Sequence, residues 1–205
     1  MNSDVSIVVT NYNYGKYLPR CLRSCLGQNN HNPQIVVVDD CSTDDSFTKI
    51  SPFLTAITFI QNSKNVGIAE ASNIGMRNSK GQFVVRVDAD DFINEDMILF
   101  LRTYLLNNLD AFCVSSDYVL VDEYENKIER KYAEKDPISC GIMYRKDLLL
   151  ELGGYNPDMR HKEEEELRKR LGDKYRIHHL RIPFYRYRMH NHNKTKSKEY
   201  KECKV

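Results

Sequence analysis

The chain has 205 residues, with 30 lysines and arginines against 29 acids, for a formal net charge of +1. That length fits one domain or two fused halves, and the near balance of charge argues against bulk polyanion binding, so no nucleic-acid partner is expected. Hydrophobic residues at 41% and charged residues at 29% are those of an ordinary soluble globular protein.

The first half alternates strand and helix patterns. Val5–Val9 is a run rich in β-branched residues, suited to a buried strand. Asn11–Gly15 is turn-rich, and a helix is expected from Tyr17 to Leu26, with Pro19 tolerated in its first turn. Cys21 and Cys25 lie one turn apart on it and read as packing residues. Ile35–Val38 is a second strand that stops at Asp39-Asp40, and Ser42–Asp45 offers N-cap chemistry for a helix that Pro52 ends. Ile57–Ile60 reads as a third strand, Ile68–Asn78 as a helix ending near Gly81, and Phe83–Val87 as a fourth strand.

The second half is less regular. Asn94–Asn108 has helical spacing with Asn94 as N-cap, Ala111–Val121 is strand-like, and a polar turn runs from Asp122 to Lys127. Gly141–Tyr144 is a short strand, Lys146–Leu152 a short helix closing at Gly153-Gly154, and Glu163–Leu171 another helix. Arg176–Leu180 and Phe184–Met189 are two strand candidates. Five lysines punctuate the tail from Lys194 to Lys204, as a solvated tail or as a weak anchor to an acidic substrate or to anionic lipid at the inner face of a membrane. The six cysteines form no C-x-x-C pair and no secretory segment opens the chain, so reduced thiols in the cytoplasm are the expectation.

Strands separated by helices of this length imply a parallel sheet with helices on both faces, whose ligands bind beyond the carboxyl ends of the strands. That rule gathers Thr10-Asn11-Tyr12, Asp39-Asp40 and Asp88-Ala89-Asp90-Asp91 at one rim. Capping explains Ser42–Asp45 well but Asp88, Asp90 and Asp91 less well, because carboxylates crowded after one strand repel one another unless a cation sits among them. Asp88-Ala89-Asp90 is a strand-terminal D-x-D pair of hard oxygen donors suited to Mg²⁺ or Mn²⁺. No G-x-G-x-x-G opens the first helix and no G-x-x-x-x-G-K-[ST] occurs, which disfavours dinucleotide oxidoreductases and P-loop hydrolases.

These segments resemble glycosyltransferase family 2. Val5–Asn13 is similar to the family's opening strand and loop, and Val37–Asp44 to its second strand and acidic turn. Asn65-Val66-Gly67, Asn73-Ile74-Gly75 and Gly81 are similar to the block that leads into the D-x-D. Gly153-Gly154-Tyr155 with the acidic helix resembles the acceptor-side block, and Tyr187–Thr195 the carboxyl-terminal one. The resemblance implies a GT-A fold, an α/β architecture in which a Rossmann-like, mostly parallel sheet (1–92, the nucleotide-sugar half) is fused to a smaller mixed acceptor half (93–205) in a single domain. It implies an inverting, metal-dependent transferase that moves a sugar from a nucleotide diphosphate donor to a hydroxyl acceptor, such as a growing glycan or a lipid-linked saccharide. Uracil is the base it favours, with guanine or thymine open.

Carried over by position, Thr10, Asn11, Tyr12, Asp40, Asn65, Asn73, Asp88 and Asp91 would bind the nucleotide sugar. Asp88, Asp90 and His190 would hold Mn²⁺ or Mg²⁺. The family's Glu-Asp-x-Asp-Leu pattern is here Glu163-Glu164-Glu165-Glu166-Leu167, so aligning the leucine puts the catalytic base at Glu164, with Glu163 next. Helical spacing places Glu163 and Glu164 on the face of Leu167 and turns Glu165 away. Two rivals stay open: a nucleotidyltransferase that makes nucleotide sugars, although the loop Thr10–Lys16 holds one glycine and one lysine, and a non-catalytic sugar-nucleotide-binding domain.

Overall fold

The structure is a computed structural model and describes residues 3–172, 174–191 and 193. The lysine-rich tail lies outside the described residues. Strands β1 (Val5–Asn11), β2 (Gln34–Asp39), β3 (Thr58–Gln61) and β4 (Phe83–Asp88) form a parallel sheet in the order β3-β2-β1-β4. Helices α1 (Leu18–Leu26), α2 (Ser46–Ile50) and α3 (Ile68–Arg77) make the crossovers. Every residue of β1 is buried, as a near-continuous apolar run covered on both faces requires. Val5, Ile7 and Val9 face one side, against Leu18, Cys21, Leu22 and Cys25 of α1, while Val8 faces the other, against Ala69 and Met76 of α3. Full burial of each such aliphatic side chain stabilises by roughly 1.5–3 kcal/mol.

The second half extends the same sheet rather than starting another. Beyond β4 come β8 (Ile142–Arg145), β6 (Cys113–Val121), β9 (Ile177–Arg188) and β5 (Phe92–Ile93), with β7 (Lys127–Lys131) paired to β6. Strand β8 is antiparallel to both β4 and β6, whereas β9 runs parallel to β6. Helix α4 (Met97–Asn107) packs on the face of α1, and α5 (Lys146–Glu151) and α6 (Glu163–Leu171) pack on the face of α3. Arg145 closes α4 by donating to the carbonyls of Leu105 (2.6 Å) and Asn108 (3.1 Å), groups a helix end leaves without partners. Among the described residues no helix is long and apolar enough to cross a membrane.

Several expectations are corrected. The helix expected from Asn94 begins at Met97, with Asp96 at the N-cap position but making no side-chain cap bond. Asn94 instead shapes the preceding turn, its Oδ1 accepting from the Asp96 amide at 3.1 Å and its carbonyl from the Met97 amide at 3.1 Å. The two strands expected on either side of Pro183 are one twelve-residue strand, β9, whose register against β6 shifts around Asp117. Proline has no ladder donor to give, and the shift absorbs it. The polar turn from Asp122 leads directly into β7, and the two-residue β5 is too short to carry a periodic signal.

Gly75 fixes how closely α3 approaches the sheet: a Cβ there would lie 2.3 Å from Val8 Cγ1 and 3.3 Å from Val38 Cγ2. Alanine in a helix interior is worth up to about 1 kcal/mol over glycine, but overpacking against a stiff β-branched neighbour costs about 1–3 kcal/mol. Gly75→Ala should therefore lower the melting temperature by several degrees. Pairing it with Val8→Ala should cost less than the sum of the two single losses; a strictly additive double variant in thermal melts would refute this close approach.

Candidate active site

Strand register builds the rim. Thr10 stands abreast of Asp88, and Asn11 abreast of Asp39, so the carboxyl ends of β1, β2 and β4 open on one cavity of about 300 Å³. Thr10, Tyr12, Asp40, Asp88, Asp90 and Glu164 are among its walls. Among the described residues, Thr10 Oγ1 and Asn11 Oδ1 are buried without a hydrogen-bond partner, which is the state of polar atoms that meet a ligand.

The three carboxylates after β4 are each held by a different group. Arg86 Nε lies 3.1 Å from Asp88 Oδ1. His190 Nε2 lies 2.9 Å from Asp90 Oδ2, with the imidazole buried against the Tyr17 ring at 4.8 Å between centroids. Asp91 accepts from Tyr185 Oη (2.8 Å) and from the Arg188 amide (2.8 Å). Burial, with the Asp90 and Asp88 carboxylates beside it, pushes the Asp91 carboxyl well above the usual range. Arg188 is itself buried and donates from Nε to the Asp90 carbonyl (2.9 Å) and from Nη2 to Glu125 (3.0 Å). Asn193 ties the strand end, accepting from the His190 amide and donating to the Arg188 carbonyl.

This geometry sorts the candidate metal donors. Asp88, Asp91 and Cys140 bring one potential ligand atom each within 4.8 Å of one another. Burial and the Asp88 and Asp91 carboxylates push the Cys140 thiol well up, and a protonated thiol is a poor donor to a hard cation. The Asp91 carboxylate is already engaged at both oxygens. Asp88, Asp90 and Asp91 all border the cavity, and Asp88 and Asp90 offer the hard oxygen donors that fit Mg²⁺ or Mn²⁺. His190, the third expected cation donor, is bonded to Asp90 and orients its carboxylate.

The other expected nucleotide contacts separate in the same way. Asp40 borders the cavity, and its carboxylate accepts from Asn62 Nδ2 (2.9 Å) and from the amides of Val66 and Gly67 (2.8 Å each), shaping the loop that follows β3. About one of its roughly four lone-pair sites is left. Asn11 also borders the cavity but directs its Nδ2 at Asp39, Ser42 and Ser46, fixing the acidic turn. Asn65 and Asn73 lie outside the cavity's walls. Asn65 is exposed, bonded through Oδ1 to Arg160 Nη1 at 3.1 Å. Asn73 is a buried clamp that donates to the Tyr155 carbonyl (2.7 Å) and accepts from the Tyr155 amide (2.9 Å). Gly154 sits under that clamp with φ +66°, and a Cβ there would come 2.6 Å from Asn73 Oδ1.

On the far wall, α6 presents its acidic first turn as the spacing predicted: Glu163, Glu164 and Leu167 are buried and Glu165 is exposed. Glu163 Oε1 pairs with Arg86 Nη1 at 2.7 Å. Glu164 accepts from Tyr144 Oη (2.9 Å), Tyr155 Oη (3.2 Å) and Arg168 Nε (3.2 Å). Burial pushes its carboxyl up, against the opposing pull of Arg168, Tyr144 and Arg86. Sequence reasoning missed Arg86, Tyr144 and Arg168. Arg86 did leave a signal, as a charged residue inside the apolar strand Phe83–Val87. The tyrosines left none among thirteen. Non-glycine residues with positive φ flank three of the walls: Asn13 (61°), Cys41 (64°) and Lys162 (57°). Such backbone costs of the order of 1 kcal/mol each and is held in place by its surroundings.

The sequence profile described as Glycosyl transferase family 2 matches residues 6–163. Glycosyltransferase GlyG of Streptococcus pneumoniae is 35% identical over 126 residues, 60% of this chain and 42% of that protein. Chondroitin synthase of Escherichia coli is 31% identical over 131 residues, 62% of this chain and 19% of that protein. The chain thus spans less than half the length of either relative. Among solved structures, S. aureus TarS in complex with UDP-GlcNAc superposes with a TM-score of 0.79 at 20% identity, covering all of this chain and 62% of that one. The mannosyltransferase PcManGT of Pyrobaculum calidifontis, solved with GDP-Man and Mn²⁺, gives a TM-score of 0.75 at 19% identity, covering 94% of this chain and 59% of that one. At such identities the likeness is one of fold, and the fold is GT-A. With more than half of its length matched by one profile, the chain belongs to glycosyltransferase family 2.

Proposed function

We propose that this protein is an inverting, metal-dependent glycosyltransferase that takes a sugar from a nucleotide diphosphate donor, a UDP-sugar, to a hydroxyl of a saccharide or lipid-linked saccharide. The observation that carries the reading is the convergence of Asp88 and Asp90 from the sheet and Glu164 from α6 on one cavity. The uridine preference is drawn from TarS, solved with UDP-GlcNAc. PcManGT, solved with GDP-Man, is the counter-example that keeps guanine in any donor panel.

Asp88 and Asp90 would hold the divalent cation, which when bound supplies positive charge to a diphosphate leaving group. The protein's own residues do the rest. Thr10 Oγ1, buried with no partner among the described residues, offers a hydrogen bond to the nucleotide, and Tyr12 stands half-buried beside it to flank a base. Asp40 has a lone pair left for a base imide or ribose hydroxyl.

Glu164 accepts the proton of the acceptor hydroxyl as that oxygen bonds to the anomeric carbon and the bond to the diphosphate breaks on the opposite face. One displacement inverts the configuration. The carboxylate suits the role on two counts. Three donors occupy three of its roughly four lone-pair sites, leaving one for the incoming proton. Its raised pKa brings its basicity nearer neutral pH.

Glu164→Gln should cut kcat by about 10²–10⁴-fold while donor binding survives. The stability effect runs the other way. A carboxyl whose folded pKa is raised favours the fold while protonated and loses that contribution as pH rises through the folded value. At neutral pH and above, the amide should melt no lower than the parent. Normal turnover by Glu164→Gln in a radiolabelled-donor assay would remove Glu164 as base.

Cation and donor should bind together. A nucleotide at a hundred times its Kd stabilises by about 2.7 kcal/mol, or roughly 5–10 °C for a chain of this size. UDP with Mn²⁺ should give such a rise, and UDP with a chelator should not. Asp90→Asn, of nearly equal volume, should fold but lose the Mn²⁺-dependent increment; an increment of parental size in that variant would exclude Asp90 as a cation donor.

A further inference from the structure

Arg86 sits in the middle of β4 with only 3% of its side chain exposed, yet it borders the cavity. Its guanidinium is shared between the two sides of the site. Nε lies 3.1 Å from Asp88 Oδ1 on the D-x-D strand, and Nη1 lies 2.7 Å from Glu163 Oε1 on α6. Its charge also lies 5.6 Å from the Tyr155 ring centroid, and the Tyr155 hydroxyl donates to Glu164. Two routes therefore run from Arg86 to Glu164, one through the adjacent residue and one through a phenol that bonds it. A bidentate, always-charged fork suits this bridge in a way that an ammonium does not.

We propose that Arg86 is a positioning residue for Glu164: by bridging Asp88 and Glu163 it holds the first turn of α6 against the D-x-D strand and keeps a positive charge beside the proton acceptor. The proposal rests on the reading of Glu164 as the base. The groups facing Glu164 are Arg86 from β4, Tyr144 from β8, Cys113 from β6, Tyr155, and Arg168 from α6 itself. Burial pushes both phenols and the thiol well up, so Arg86 and Arg168 are the charges among them, and each draws the Glu164 carboxyl down.

The test is the pH profile of kcat in Arg86→Gln and in Arg86→Gln/Glu163→Gln. Arg86→Gln should lose about ten- to hundred-fold in kcat, the scale of a misplaced catalytic group. Its acid limb should move to higher pH, because a charge that favours the ionised base is gone. The double variant should recover part of the lost kcat, because it no longer leaves the Glu163 carboxylate buried without its cation. A loss of kcat with the acid limb at the parental pH would reduce Arg86 to a structural role and overturn the proposal, as would a double variant slower than Arg86→Gln. If Arg86→Gln does not fold, Arg86→Lys carries the test. It keeps the charge and so the limb, but should lose kcat for want of a second point of contact; parental kcat in Arg86→Lys overturns the proposal. Glu164→Gln separates the two failures. If it turns over normally, the assignment of the base fails; if it is silent while Arg86→Gln keeps the parental profile, only the role of Arg86 fails.

Discussion

Three carboxylates within four residues, Asp88, Asp90 and Asp91, stand at the end of one buried strand, and much of the second half is arranged around holding them. Like charges at such spacing repel strongly out of water, and each needs its own compensation. Arg86 serves Asp88 from two residues away, but His190, Tyr185 and Arg188 come from about a hundred residues further on. That explains the path of β9, which runs parallel to β6 and delivers Tyr185, Arg188 and His190 to the D-x-D turn. The carboxyl-terminal block of the family resemblance thus has a physical function in this chain: it closes the acidic turn, with His190 and Arg188 as its two principal contacts.

The division of labour among the aspartates follows from what holds each one. Asp91 is bonded at each of its oxygens, by a phenol and by a backbone amide, and acts as a structural post. Asp90 is oriented by an imidazole packed on a tyrosine ring, and Asp88 faces an arginine that also answers to α6. With a protein donor already on each oxygen, Asp91 is the less suited of the three to a cation.

The elements that could be read in the sequence are those whose signal is local. Buried parallel strands declare themselves as apolar runs, and β1, β2 and β4 fall where those runs lie. The buried pair Glu163 and Glu164 follows from helical period alone. What escaped depends on partners distant in the chain. Asn73 reads as a ligand by resemblance, yet its partner Tyr155 lies 82 residues away, and nothing in the local sequence points to that clamp. Asn65 likewise belongs to Arg160, 95 residues on. The continuity of β9 is hidden by Pro183, because a proline usually breaks a strand and here a register shift in its neighbour accommodates it.

Glutamate in place of the family's aspartate on α6 raises the question of where the extra methylene goes, and the packing answers it. Glu164 extends past the helix backbone to two phenols, Tyr144 from β8 and Tyr155 from the turn clamped by Asn73, while Glu163 extends to the strand arginine. An aspartate at 164 would fall short of the tyrosines by about one carbon–carbon bond, so the longer side chain and its phenols belong together. The helix N-terminus favours the ionised form of Glu164 and desolvation opposes it. At Glu164 burial prevails, while Glu163 is paired with the buried guanidinium of Arg86. Two adjacent carboxyls are thereby given different surroundings by their partners rather than by their own chemistry, and in the proposed mechanism that asymmetry lets one brace the helix while the other takes up a proton.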